Sequence, residues 1–129
     1  MQKGYAAGVA KAALEEVLTQ EAYVRVEDLA TTMAQGLAVC FRKLELSWRA
    51  FQLGPRIQLF LSNSLQRNAT EAAISLSAEW IDTRRIYLAN RGIWDAIASA
   101  GPQVSFAHVE SDCNEYIRSI SELLDRIKT

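Results

Sequence analysis

The sequence is poor in the residues that usually signal cross-links or metal chemistry. Its 129 residues include two cysteines, two prolines and one histidine, and fourteen basic side chains nearly balance fifteen acidic ones. Two cysteines cannot form the dense disulfide framework of a small secreted domain, so we expect Cys40 and Cys113 to be reduced and buried. A net charge of −1 gives no excess of positive charge with which to bind nucleic acid or an anionic membrane.

Long apolar runs are also missing. The first residues, MQKGYAAG, lack the apolar core of a signal peptide, and no window is apolar enough over sufficient length to span a bilayer. We therefore expect a cytoplasmic protein that contacts no membrane. Half of the residues are hydrophobic, which is enough for the core of one domain over residues 1–129.

The signatures of common self-contained active sites are absent as well. There is no phosphate-binding glycine loop, no dinucleotide-binding glycine turn and no nucleophilic-serine elbow. His108 has no second histidine at metal-ligand spacing, so no metal site is predicted and a role in holding the backbone is favoured. No lysine has the desolvated setting that a Schiff base requires. The residues alone therefore predict no self-sufficient active site.

A cluster of three arginines near the end of a predicted helix is the most basic feature of the chain. It consists of Arg84, Arg85 and Arg91. Positive charge there complements the carbonyl end of a helix, and binding of a substrate carboxylate is the alternative role. The three tryptophans are expected to anchor the core or an interface rather than to form a cofactor cage.

Residues 4–18 predict a helix with two different surfaces. Small residues recur every four positions at Gly4, Gly8 and Ala12, opposite an apolar face. Such a row allows the backbone of a larger body to approach closely, as on a connector helix. An ordinary alanine-rich helix is the alternative.

Three further helical segments are predicted. One begins at a cap on Thr19, and its apolar residues recur at three- and four-residue steps as far as Leu44. Another covers residues 70–88 and ends at Gly92, because glycine adopts the left-handed conformation that terminates helices. An amphipathic helix over residues 110–128 closes the chain.

Four short strands complete the predicted fold. Residues 48–53 and 57–62 are β-prone and flank a Gly-Pro dipeptide, and residues 93–97 and 104–107 have the same character. The order is two helices, two strands, a helix, two strands and a helix. This pattern predicts an α+β fold in which a small, largely antiparallel sheet is covered by helices.

Four blocks of the sequence, in a fixed order, resemble a known enzyme family. They are GYAAGVAKAALEEVLT at residues 4–19, RNATEAA at 67–73, YLANRG at 87–92 and SFAHVESD at 105–112. The chain resembles the C-terminal part of class III pyridoxal-phosphate-dependent aminotransferases, in the branch around glutamate-1-semialdehyde 2,1-aminomutase. The resemblance extends over nearly the whole chain and implies the fold of an aminotransferase small domain.

The resemblance also implies that two domains of the parent protein have different roles. In this family the large domain carries the cofactor and the lysine that binds it, and it precedes a Gly-Asn-Pro segment before the small domain. This sequence has neither. The resemblance thus implies that residues 1–129 are the small domain and that residues 4–18 connect it to a missing large domain. The parent is expected to be a dimeric pyridoxal phosphate enzyme, and the chain alone to be inactive and without cofactor.

The candidate site follows from the same resemblance. In such enzymes the small domain closes over the substrate and contributes pocket wall from the segment between its last two strands. By position, the candidate pocket-wall residues are Trp94, Asp95, Ser99, Ala100 and Gly101. No residue of the chain is implied as catalytic, as a cofactor ligand or as a metal ligand.

Two positions depart from the family pattern. The aminomutase has a glutamate where this chain has Ala100, which puts aminomutase activity in doubt and favours a related aminotransferase. Relatives carry threonine at the position of Val109, so the last helix is expected to lose a side-chain cap of about 1 kcal/mol.

Two other functions remain open. One is a free-standing, non-catalytic interaction module with the same fold, and the other is a ligand-binding α+β domain unrelated to aminotransferases. In a domain separated from its parent, the apolar surface that normally faces the large domain is bare. We therefore expect a homo-oligomer that associates through the first helix.

Overall fold

A computed structural model describes residues 2–128, with the side chains of residues 2, 3, 74 and 75 left out. The described chain has five α-helices and two strands, with a π-helical turn at Ala13–Val17 and a 3-10 turn at Ala98–Ala100 in the long connection before the last helix. The elements are α1 (Gln2–Ala12), α2 (Gln20–Lys43), β1 (Arg49–Leu53), β2 (Arg56–Phe60), α3 (Ala69–Ser75), α4 (Ala78–Ala89) and α5 (Glu110–Lys128).

The core lies between α2, α5 and the sheet. The buried residues of α2 follow the predicted three- and four-residue steps: Val26, Ala30, Met33, Ala34, Leu37, Cys40 and Phe41. Helix α5 buries its own face against them, including Cys113, Tyr116, Ile120, Leu123 and Leu124. Both cysteines are buried and form no disulfide, as predicted.

Helix α5 packs tightly against α2 at Gly36. A Cβ atom built at this position would lie 2.5 Å from Cδ1 of Ile117, which is closer than real side chains pack. Glycine weakens the interior of a helix by roughly 0.5–1 kcal/mol relative to alanine. Here the missing Cβ gives Ile117 the space it occupies.

The sheet is a hairpin of β1 and β2, as residues 48–53 and 57–62 predict. The strands are antiparallel, and the register places Phe51 opposite Gln58. Ile57 and Leu59 of β2 are fully buried on the face that α2 covers. The other face of this hairpin is left open.

The prediction of strands at residues 93–97 and 104–107 is wrong. In the described part of the chain only Gln103 pairs with the sheet, through a single antiparallel bridge to Arg56. Pro102, the residue before Gln103, has no N–H group with which to continue a ladder. The two segments are irregular, and the sheet has two strands rather than four. The α+β class and the small antiparallel sheet are confirmed.

The predicted helix over residues 70–88 is divided in two. Leu76 adopts an extended conformation between α3 and α4, and Ser77 caps α4 by accepting a hydrogen bond from the Trp80 N–H at 3.2 Å. Serine at a cap competes with continuation of the helix, which the apolar spacing alone did not reveal.

The predicted stop at Gly92 is confirmed. Gly92 has φ +78°, in the left-handed region where glycine avoids the Cβ penalty. Its N–H donates to the Ala89 carbonyl at 3.1 Å, and the Ile93 N–H donates to the Leu88 carbonyl at 3.0 Å. This pair of bonds is the Schellman motif, and it directs the chain from α4 toward the candidate pocket wall.

The first helix stands apart from the core. Where one helix over residues 4–18 was expected, α1 ends at Ala12 and continues as the π-helical turn. Every described side chain from residue 4 to residue 12 is exposed. The predicted cap at Thr19 is confirmed, because its Oγ1 accepts a hydrogen bond from the Ala22 N–H at 3.2 Å.

Between residues 2 and 128, no helix combines the length and the apolar character that crossing a membrane would require.

Candidate functional site

A groove of about 670 Å³ lies beside the predicted pocket wall. Its sides are the N-terminal half of α2, residues 91–97, residues 101–108 and the first turns of α5. Three of the predicted wall residues line it: Trp94, Asp95 and Gly101. Ser99 and Ala100 lie beside it on the 3-10 turn and are not among the lining residues.

A buried ion pair fixes the start of the wall. Nε of Arg84 lies 3.1 Å from Oδ2 of Asp95, and the two side chains are 2% and 4% exposed. Nη2 of Arg84 also donates to the Ala98 carbonyl. Burial raises the pKa of the Asp95 carboxyl, and the Arg84 guanidinium beside it opposes that rise. The Asp95 carboxylate therefore holds the wall against α4, although it lines the groove.

The other two arginines of the cluster also have partners within the chain. Arg85 lies over the Trp94 ring at 4.8 Å, and this contact orients the most exposed aromatic side chain of the wall. Arg91 lies over the Tyr87 ring at 3.5 Å and 3.8 Å from Glu122. The cluster thus stabilises the wall and the end of α4, and Arg91 alone of the three also lines the groove.

Gly101 ends the wall at a point where no side chain fits. It has φ +73°, and a Cβ atom there would collide with the carbonyl oxygen of Ile57 in β2. Beside it, the Ile57 N–H donates to the Pro102 carbonyl at 3.0 Å. The wall is therefore attached to α4 at one end and to β2 at the other.

The opposite side of the groove is held by Arg25, which the sequence analysis did not identify. Its guanidinium donates to the carbonyl of Phe106, and to the carbonyl of His108 at 2.9 Å. The Tyr23 ring meets the Phe106 ring edge-on at 5.0 Å. Because the Phe106 and His108 carbonyls are 81 and 83 residues from Arg25, no local sequence signal indicates these hydrogen bonds.

His108 holds the backbone, as the sequence analysis favoured. Its Nδ1 accepts a hydrogen bond from the Ser105 N–H at 2.8 Å. Across the described ranges, no group of three or more acidic, histidine or cysteine side chains is arranged to hold a metal ion. The groove-lining set contains no lysine.

The chemistry of the groove is that of a binding surface. Its lining combines apolar and aromatic side chains with Asp112 and Glu115 on the α5 side. Burial raises the pKa of the Tyr116 hydroxyl and of the Cys113 thiol, so both groups stay protonated at neutral pH. The described residues of the groove therefore supply shape, apolar contact area and charge.

Neither a family model nor a curated protein sequence matches the chain. Solved structures do match it. The chain is similar to a glutamate-1-semialdehyde aminomutase from Pseudomonas aeruginosa PAO1, with a TM-score of 0.85 and 23% identity over 90% of this chain and 26% of that chain. The chain has an aminotransferase-type fold.

Other solved structures agree with this fold. A variant of the same aminomutase in complex with PMP gives a TM-score of 0.84 at 23% identity, over 89% of this chain and 25% of that one. An omega-transaminase from Sphaerobacter thermophilus gives 0.71 at 17% identity, over 87% and 26% of the two chains. The chain thus spans about a quarter of the length of these proteins. The resemblance to aminotransferases is confirmed at the level of fold, and this fold argues against an unrelated α+β domain.

Proposed function

We propose that the chain is the C-terminal small domain of a pyridoxal-phosphate-dependent class III aminotransferase or aminomutase. The observation that carries the proposal is the likeness to the aminomutase, with a TM-score of 0.85 over 90% of this chain but only 26% of the other. The four ordered sequence blocks support the same assignment. The parent is proposed to be a cytoplasmic dimer.

The proposed role of the chain is to shape the substrate pocket and to close over the cofactor. Its wall, residues 94–101, is attached to α4 through Arg84 and to β2 through the close contact of Gly101. Attachment at both ends suits a wall that must present the same shape to each substrate molecule.

The residues of this chain do not by themselves form a site for pyridoxal phosphate. When bound in an enzyme, the cofactor supplies an electron sink for the reacting carbon and requires a lysine. No groove-lining residue is a lysine. We therefore assign the cofactor and its lysine to the large domain and none of the cofactor contacts to this chain.

The alanine in the wall favours an aminotransferase over an aminomutase. By the resemblance, Ala100 falls at the position of the aminomutase glutamate, so this chain has a methyl group where that enzyme has a carboxylate. A wall without this acid cannot exchange a proton with the substrate at that point.

The proposal is tested in the complete reading frame that contains the chain. We expect an in-frame, lysine-bearing domain upstream, followed by a Gly-Asn-Pro segment, and transamination by the complete protein. In that protein, Trp94→Ala should raise KM for the amino substrate by about tenfold with a smaller effect on kcat, because a wall residue acts through binding. Ile86→Ala is the matched control, since Ile86 is 64% exposed and Trp94 is 65% exposed.

Two results would contradict the proposal. A reading frame without an upstream lysine-bearing domain would favour the free-standing interaction module. An unchanged KM in the Trp94→Ala enzyme would show that Trp94 of the wall does not contribute to substrate binding.

A further inference from the structure

The groove beside the pocket wall has an apolar and aromatic lining. Trp94, Ile97 and Phe106 are among its lining residues, and the Tyr23 ring packs edge-on against Phe106. Trp94 is 65% exposed and Ile97 is 54% exposed, so both side chains offer apolar surface to a ligand. Such a lining suits the apolar part of a small molecule.

The cationic side chains of the groove are already engaged within the chain. Arg91, the arginine among the lining residues, lies over the Tyr87 ring and 3.8 Å from Glu122. Nδ1 of His108 accepts a hydrogen bond from the Ser105 N–H, a role that a protonated imidazole cannot fill. The lining contains no lysine. Among the described residues of the groove, no cation is therefore left to bind the carboxylate of a ligand.

One carboxylate of the groove, in contrast, has no cation beside it. Asp95 is paired with Arg84, and Glu115 is paired with Arg118. Asp112 also lines the groove, and no lysine or arginine in the described part of the chain forms an ion pair with it. The groove thus combines apolar surface with an excess of negative charge.

We propose that the groove receives the far end of the amino substrate, and that this end is apolar and carries no carboxylate. The far end is the part of the substrate that lies away from the reacting amine. A carboxylate in the groove would lose water without gaining a cation, and it would also face the charge of Asp112. The inference rests on the proposed function and deepens it, because it names the substrate class as amines with an apolar chain.

Two probes that differ only at the far end test the inference. Hexylamine and 6-aminohexanoate have the same reacting amine and the same number of carbons, but only the second ends in a carboxylate. Each probe is mixed with the complete protein, and transfer of its amino group is followed as the loss of the visible absorbance of the cofactor, while the probe leaves as the aldehyde. We expect hexylamine to react at least about tenfold faster at equal concentration, because the carboxylate has no partner in the groove.

Adding a cation to the groove should change this preference. Ile97→Arg places a guanidinium among the lining residues, so the rate with 6-aminohexanoate relative to hexylamine should rise by at least about tenfold. Ile86→Arg is the matched control, because it adds the same charge on α4 at a residue that is 64% exposed and does not line the groove. The control should keep the wild-type ratio. An equal change in both variants would contradict a local role of the groove.

The outcomes separate this inference from the proposed function. Equal rates with the two probes, or a faster reaction of 6-aminohexanoate, in an active transaminase would overturn the inference and leave the function standing. An active transaminase that accepts neither probe would also overturn it, because the proposed groove holds an apolar chain of this kind. A complete protein without transaminase activity would contradict the proposed function itself.

Discussion

The buried pair of Arg84 and Asp95 is the residue contact on which the pocket wall most depends. Two charges that are almost fully removed from water stabilise the fold only while they remain paired. The pair also closes the turn that carries the wall, because Arg84 donates to the Ala98 carbonyl. The pair therefore fixes the position of the pocket wall.

Removing the Asp95 carboxylate alone should destabilise the fold. Asp95→Asn is expected to lower the free energy of unfolding by about 3–5 kcal/mol, because the Arg84 guanidinium stays buried without its counter-charge. Urea unfolding followed by circular dichroism measures the change. The double variant Arg84→Met/Asp95→Asn should lose less than the single one, and a larger loss in the double variant would argue against this account.

The Tyr116 hydroxyl, in contrast, is expected to contribute little to stability at neutral pH. It is buried without a hydrogen-bond partner among the described residues, so Tyr116→Phe should change the free energy of unfolding at pH 7 by less than about 1 kcal/mol. Burial raises its native pKa above the unfolded value of about 10. The unfolded chain therefore loses this proton first, and the wild type loses stability as the pH rises above about 10. Tyr116→Phe should show a weaker decline, and equal slopes in parallel urea titrations would contradict this.

The contacts of single residues were the hardest to foresee from the sequence. The cluster of Arg84, Arg85 and Arg91 was visible, but the partner of each depends on where the chain returns in space. Arg25 gave no signal at all, because the carbonyls it holds belong to Phe106 and His108. Hydrogen bonds between distant segments follow from the fold and leave no local pattern.

At the level of elements, regular periodicity of apolar residues predicted the helices and the hairpin correctly. Isolated segments of β-prone residues did not predict strands. Helices α2 and α5 and the β1–β2 hairpin were predicted because each satisfies its backbone locally. The segments 93–97 and 104–107 have the composition of strands, but a strand also needs a partner edge. The β2 edge accepts one bridge from Gln103 before Pro102 interrupts the pairing.

The start of α5 contains half of a capping box. Oδ2 of Asp112 accepts a hydrogen bond from the Val109 N–H at 2.8 Å, but Val109 has no oxygen to return the bond. Val109 is 53% exposed, so Val109→Thr should fit without strain and raise the free energy of unfolding by about 1 kcal/mol. Thermal unfolding measures the gain. Val109→Ala is the control, and an equal gain in that variant would argue against capping.

On the scale of the whole molecule, the exposed first helix is the main feature without an internal partner. Tyr5 is 78% exposed and Leu14 is 65% exposed, and both lie on the segment expected to connect to a large domain. Apolar side chains in such a position are typical of a protein interface.

The isolated chain should therefore self-associate through this helix. Sedimentation velocity of the 129-residue chain is expected to show larger species as the concentration rises, and Tyr5→Ser/Leu14→Ser should remain monomeric. Leu65→Ser, at a residue that is 59% exposed in the loop before α3, is the control and should associate like the wild type. A wild type that stays monomeric at every concentration would contradict the prediction.

The central claim is that this chain shapes a pocket whose cofactor is held by another domain. The most direct measurement compares bound pyridoxal phosphate, by visible absorbance after gel filtration, in the complete protein and in the 129-residue chain. We expect about one cofactor per subunit in the complete protein and none in the isolated chain, because the groove offers no lysine. Stoichiometric binding by the isolated chain, or a complete protein that retains no cofactor, would contradict it.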